Sequence, residues 1–148
     1  MNILIAVDFS EGTSTILAEA EKYVEHFHAD YWLIHVAEPD PYFVGYEPGP
    51  QTVRDEVAKK FHKEHQQIQK EADKIRKQGV NITPLLVQGP AIETILKEAD
   101  NLKIDLIILG SHGHGALYNL LLGSVTQGVL KNAKVPVLIV PTHKRKQD

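Results

Sequence analysis

Short apolar runs alternate with longer amphipathic stretches along the whole chain. "NILIAVD" (2–8) is a continuous apolar run rich in branched residues and ending at a turn signal, the pattern of a strand buried on both faces. "SEGTSTILAEAEKYVEHFH" (10–28) places Ile16, Ala20, Tyr23, Val24 and Phe27 at helical spacing behind Ser10, a residue able to cap a helix start. "DYWLIHV" (30–36) reads as a second strand. The prolines and glycines of "AEPDPYFVGYEPGP" (37–50) then mark a loop. From Thr52 to Gln78 the charges predict a long helix with an inner stripe of Val53, Val57, Phe61, Ile68, Ala72 and Ile75, stopped by Gly79. "VNITPLLV" (80–87) is a third strand, which Pro84 assigns to a sheet edge or bulge. A short helix over 88–102 carries Pro90 near its first turn. It is followed by a strand "IDLIILG" (104–110), a loop, a helix "SVTQGVLKNA" (124–133) and a last strand "VPVLIV" (135–140).

Strands that alternate with helices predict a single-domain α/β fold with a parallel sheet and helices on both faces. With the first strand central and the fourth beside it, the strand order is 3-2-1-4-5. Ligands of such sheets lie outside the carboxyl ends of the strands, where the order reverses. The crevice would then fall between Asp8 and Gly110. A length of 148 residues fits one domain, with no internal repeat or linker, and the basic end 143–148 is expected to be a flexible tail.

Composition narrows the classes. An apolar fraction of 43% and a charged fraction of 24% are those of a globular protein, and no apolar run approaches the roughly 20 residues that span a bilayer. No membrane insertion is expected. The chain has no cysteine, hence no disulfide frame, thiolate nucleophile or cysteine zinc site, and the start "MNILIAVDFS" lacks the basic region of a signal peptide. A cytoplasmic location is the expectation. A net charge of -3 argues against a nucleic-acid partner.

The densest chemistry lies in "GSHGHGALYNLLLGS", with Gly110, Gly113 and Gly123-Ser124 spaced as G-x2-G-x9-G-S. Glycines let backbone N–H groups converge on an anion, and a helix opening at Ser124 would add unpaired amides and its dipole, with Ser124 and Thr126 as hydroxyl donors. The dipole contributes only about 0.3–1 kcal/mol, so the loop would supply most of the hold. The apolar "ALYNLLL" between the two halves could fold back as a flap. The pattern is neither a G-x-x-x-x-G-K-S/T phosphate loop nor a dinucleotide fingerprint after the first strand. On these residues alone, a phosphate cradle stands beside a plainer reading: one turn glycine, one loop glycine and one helix-cap glycine.

The chain resembles the universal stress protein family over essentially its whole length. "AVDFSE", the "HV" closing the second strand, the G-x2-G-x9-G-S motif and "VPVLIV" carry the resemblance, and the motif marks the family's ATP-binding branch. The resemblance implies a five-stranded parallel fold, a homodimer joined along Val135–Val140, and ATP at the strand carboxyl ends. Carried over by position, Ala6, Asp8 and Val36 would hold adenine and ribose, Leu109 and Gly110 would line the crevice, and Gly113, Gly123, Ser124, Val125 and Thr126 would take the phosphates with Mg²⁺ or Mn²⁺. His114 stands where many relatives carry arginine, which makes a contact there weaker or pH-dependent. Ala6 is a variable position in the family.

His112 and His114 are further candidates for phosphate contact. No carboxylate in their loop orients either ring, so neither is assigned a catalytic role. Asp8 has a plain alternative, completing a turn with Phe9 and Ser10. His62 and His65, one turn apart, lack a third metal ligand, and no metal site is expected. The function expected is an ATP-binding stress-response regulator whose nucleotide state changes its shape or its protein partner, with at most slow hydrolysis or autophosphorylation. A dimeric interaction module that ignores nucleotide is the alternative.

Overall fold

The computed structural model describes residues 1–39, 51–113 and 122–142. The strands are β1 (Asn2–Ala6), β2 (Asp30–Ala37), β3 (Ile82–Gln88), β4 (Leu106–Gly110) and β5 (Val137–Val140), and the helices are α1 (Thr13–Val24), α2 (Gln51–Arg76), α3 (Ala91–Asn101) and α4 (Ser124–Asn132). All strand pairs are parallel and the sheet order is β3-β2-β1-β4-β5, as the alternation predicts. Pro84 lies in β3, an edge strand, where a missing N–H costs no ladder bond.

The apolar runs are continuous because the sheet is covered twice. Ile3 and Ile5 of β1 pack with Ile16, Leu17 and Ala20 of α1 and Ile68, Ala72 and Ile75 of α2. Leu4 and Ala6 point the other way, onto Ile95 and Ala99 of α3 and Val129 of α4. Successive residues therefore serve opposite cores, and neither face leaves room for a polar alternation.

Local corrections have physical causes. α1 starts at Thr13 with Gly12 as its N-cap, not at Ser10. Ser10 is held outside the helix because its N–H donates to Asp8 Oδ1 at 2.9 Å, a side chain–backbone turn that competes with helix formation. The helix also ends early, and Phe27, placed on the core stripe by periodicity, is 42% exposed. Pro90, expected near the first turn of α3, is its N-cap.

The largest correction concerns α2. Its 26 residues extend about 39 Å, whereas the 8 residues of β2 span about 26 Å. The C-terminal half supplies the buried Ile68, Ala72 and Ile75, but Phe61 is 39% exposed and His65 is exposed. Since α2 runs back against the strand direction, its first half overhangs the carboxyl edge of the sheet. Gly79, at φ +80°, ends the segment in a left-handed conformation.

Candidate functional site

A cavity of about 650 Å³ opens at the carboxyl ends of β1, β2 and β4, over the β1/β4 reversal of strand order. Ala6, Asp8, Val36, Leu109, Gly110, Gly113, Gly123, Ser124, Val125 and Thr126 all line it, and so does His112. His114, the flap residues 116–121, residues 40–50 of the loop 37–50 and the tail 143–148 lie outside the described residues.

The β1–α1 turn forms one wall. Phe9 sits at φ +60°, a left-handed conformation costing on the order of 1–3 kcal/mol for a bulky residue. Two contacts offset that cost: the Asp8 carboxylate accepting the Ser10 N–H, and the Phe9 ring lying against His35 with centroids 4.1 Å apart. The plain reading of Asp8 as a turn residue is therefore real for Oδ1, while Oδ2 lies beside Gly113. His35 is buried at 7% exposure. Its Nδ1 is 3.0 Å from Val7 O, an acceptor only, so that nitrogen carries a proton. Nε2 faces Glu64 Oε1 of α2 at 3.8 Å.

The three glycines of the motif do different things. A Cβ on Gly110 would come within 2.8 Å of Ile16 Cδ1 and 2.9 Å of Thr142 Cγ2, so Gly110 permits close packing. A Cβ on Gly113 would collide with Asp8 Oδ2. Gly123 is the N-cap of α4, with no side-chain cap bond among the described residues, and its own N–H donates to Ser111 O at 2.8 Å. The first amides of α4 thus face the cavity mouth beside exposed Ser124.

Thr126 is placed at the same helix start, but its hydroxyl is committed. It is 5% exposed and donates to Gly110 O at 2.7 Å, tying α4 to the end of β4. Thr126→Val should lower stability by about 1–3 kcal/mol, because a buried carbonyl loses its donor. Thr126→Ser should recover most of the loss in urea unfolding, and an unchanged midpoint for the valine variant would refute this role.

Sequence reasoning missed the α2 wall. Lys60, Lys63, Glu64 and Gln67 line the cavity, and among the described residues neither lysine is engaged in an ion pair. Helical periodicity marks them as solvated positions and carries no signal of where the sheet ends beneath them. Among the described residues no cluster of three or more His, Asp or Glu could hold a metal ion, and no helix is long and apolar enough to cross a membrane. His62 Nε2 lies 3.1 Å from Gln66 Nε2 on the exposed face of α2.

The chain is similar to known proteins over nearly its full length. It is 33% identical to a universal stress protein of Thermus aquaticus over 144 residues, covering 93% of this chain and 96% of the relative. It is 32% identical to the universal stress protein MJ0531 of Methanocaldococcus jannaschii, covering 97% and 83%. The solved structure of MJ0577 superposes with a TM-score of 0.75 at 28% identity, covering 97% of each chain. That of the universal stress protein UspA from Lactobacillus plantarum superposes with a TM-score of 0.79 at 23% identity, covering 95% and 97%. The family model described as "Universal stress protein family" matches residues 1–141, and with the strand order and whole-length relatives in agreement, the chain belongs to the universal stress protein family.

Proposed function

We propose that this protein binds ATP in the cavity over the β1/β4 reversal and that occupancy of the site changes its shape or its protein partner. One observation carries the reading. Residues from β1, β2, β4 and α4, distant in sequence, meet on one cavity of nucleotide-accommodating size that ends at an uncapped helix N-terminus. Ala6, Asp8 and Val36 would hold the adenosine end, with Leu109 and Gly110 between. Gly113, Gly123, Ser124 and Val125 would take the phosphates, aided by His112. Thr126 would contribute its backbone amide, since its hydroxyl serves Gly110. Lys60 and Lys63 add positive potential at the cavity wall. Mg²⁺ or Mn²⁺ would enter on phosphate and water oxygens, which suits a hard ion where the described residues offer no cluster of their own.

Two fold neighbours were solved with adenine nucleotides, one universal stress protein with cAMP and one with dAMP. At 19% and 18% identity they speak for the fold, so the ligand reading rests on this chain's own cavity.

A homodimer is part of the proposal. β5 is an edge strand whose Val137, Leu138 and Ile139 are only half-buried, and an open apolar edge favours pairing with a second copy through Val135–Val140.

Competition between ATP and GTP tests the base-reading end. Asp8 can accept from the adenine amino group, whereas guanine presents an acceptor at that edge. ATP should win by at least about tenfold, a difference on the scale of one hydrogen bond to a charged group, and Asp8→Asn should narrow the gap. Equal affinity in the wild type would remove Asp8 as the base reader.

A further inference from the structure

Thr142 follows the last strand by two residues, where neither the glycine motif nor the apolar pattern draws attention. Its hydroxyl accepts the His112 N–H at 3.0 Å and donates to the His112 C=O at 3.0 Å, so one side chain satisfies both main-chain groups of a cavity residue. Its own N–H donates to Ser111 Oγ at 3.0 Å, and that oxygen lies 2.9 Å from His112 Nδ1. Ser111 in turn donates its N–H to Val140 O at 2.8 Å and accepts the Gly123 N–H at 2.8 Å. Both halves of the glycine motif therefore hang on Ser111–His112, and Ser111–His112 hangs on the segment that continues β5.

The methyl side of Thr142 is packed separately. A Cβ on Gly12 would fall 2.8 Å from Thr142 Cβ, and a Cβ on Gly110 would fall 2.9 Å from Thr142 Cγ2. The residue is wedged between the α1 N-cap and the end of β4, which leaves its hydroxyl little freedom to turn from His112.

We infer that Thr142 is the positioning residue of the ligand loop: its hydroxyl sets the main-chain geometry of His112–Gly113 and, through Ser111, the entry to α4. This deepens the ligand reading and rests on it. It also means that the chain beyond the edge strand and the ligand loop move as one unit, so whatever pairs with β5 acts on the site through Ser111 and Thr142. Reciprocally, a ligand that orders the loop orders the end of β5, because coupling of binding events runs both ways.

Two substitutions separate hydroxyl from methyl. Thr142→Val keeps both γ positions filled and removes the hydroxyl, while Thr142→Ser keeps the hydroxyl and removes the packed methyl. Amide hydrogen exchange at His112 and Gly113 is read in the ligand-free full chain, and ATP with Mg²⁺ is titrated into each variant. The valine variant should exchange at His112 at least about tenfold faster and bind ATP about tenfold more weakly, with the serine variant within about threefold of wild type in both. Wild-type exchange and affinity in the valine variant overturn the inference, and so do equal losses in valine and serine, which would assign the effect to packing. If the wild type takes up no ATP, the ligand reading fails, and the exchange contrast then decides alone: its presence upholds the anchoring of the loop and its absence removes it.

Discussion

Gly123→Val should abolish ATP binding while leaving the fold intact. The backbone at Gly123 is extended, at φ -67° and ψ 159°, which any residue can adopt. A Cβ there would meet His112 Cα and Ser111 O at 3.6 Å and Gly113 N at 3.7 Å, all ordinary contacts. Neither the conformation of Gly123 nor its packing against the described residues demands glycine at this position. What a larger side chain would take is the space over the first amides of α4, where a phosphate would sit. Losing two hydrogen bonds to a charged group, at about 1.5–3 kcal/mol each, corresponds to at least a hundredfold in affinity. Gly123→Ala provides the graded control and should fold and unfold like wild type. Calorimetry of both variants checks the expectation, and a valine variant within about threefold of wild-type affinity would remove α4 from the site.

Gly113→Ala should act by a different route and cost both stability and binding. The new methyl would overlap Asp8 Oδ2 and lie 3.2 Å from Cγ. Asp8 cannot simply swing aside, because Oδ1 holds the Ser10 N–H that supports Phe9 at φ +60°. Either that turn opens or the loop retreats. Overpacking of this kind costs about 1–3 kcal/mol, and displacement of Asp8 or of the loop should weaken ATP by about tenfold or more. Asp8→Ala/Gly113→Ala removes the overlap, so the double variant should be more stable than the sum of its parts allows, by about 0.5–3 kcal/mol of coupling. Denaturant unfolding of the four-member cycle measures it. Additivity would mean that the two residues do not share space in solution.

The contrast among the glycines shows what the chain's text could and could not convey. The motif's spacing pointed to a segment that lines the cavity, but three residues of one type have three causes: packing against Ile16 and Thr142 at Gly110, approach to Asp8 at Gly113, and an open helix entry at Gly123. A spacing rule cannot separate these, since each depends on a partner far away in sequence. The strands were legible for the opposite reason. Two-sided burial leaves a local signature, a run of apolar residues, unbroken in Ile3–Ala6 of β1 and in β4 and interrupted in β2 only by His35 after Tyr31.

Boundaries blurred wherever side chains compete with the backbone, as Asp8 does in delaying α1 to Thr13. The overhang of α2 was invisible because its apolar stripe continues through Val53, Val57 and Phe61 beyond the sheet that would bury it. That overhang brings Lys60 and Lys63 to the cavity, a contribution no local pattern announces. Thr142 was hidden likewise: a single polar residue after a strand has no period, and its role exists only through His112 and Ser111 across the β4/β5 pairing.

The central claim is that the cavity at the β1/β4 reversal is a nucleotide site. Its most direct test is calorimetric titration of nucleotide-stripped protein with ATP in the presence of Mg²⁺. The account predicts saturable binding near one ATP per chain. Folded protein that gives no heat of binding at several temperatures would contradict it and leave the three glycines as architecture.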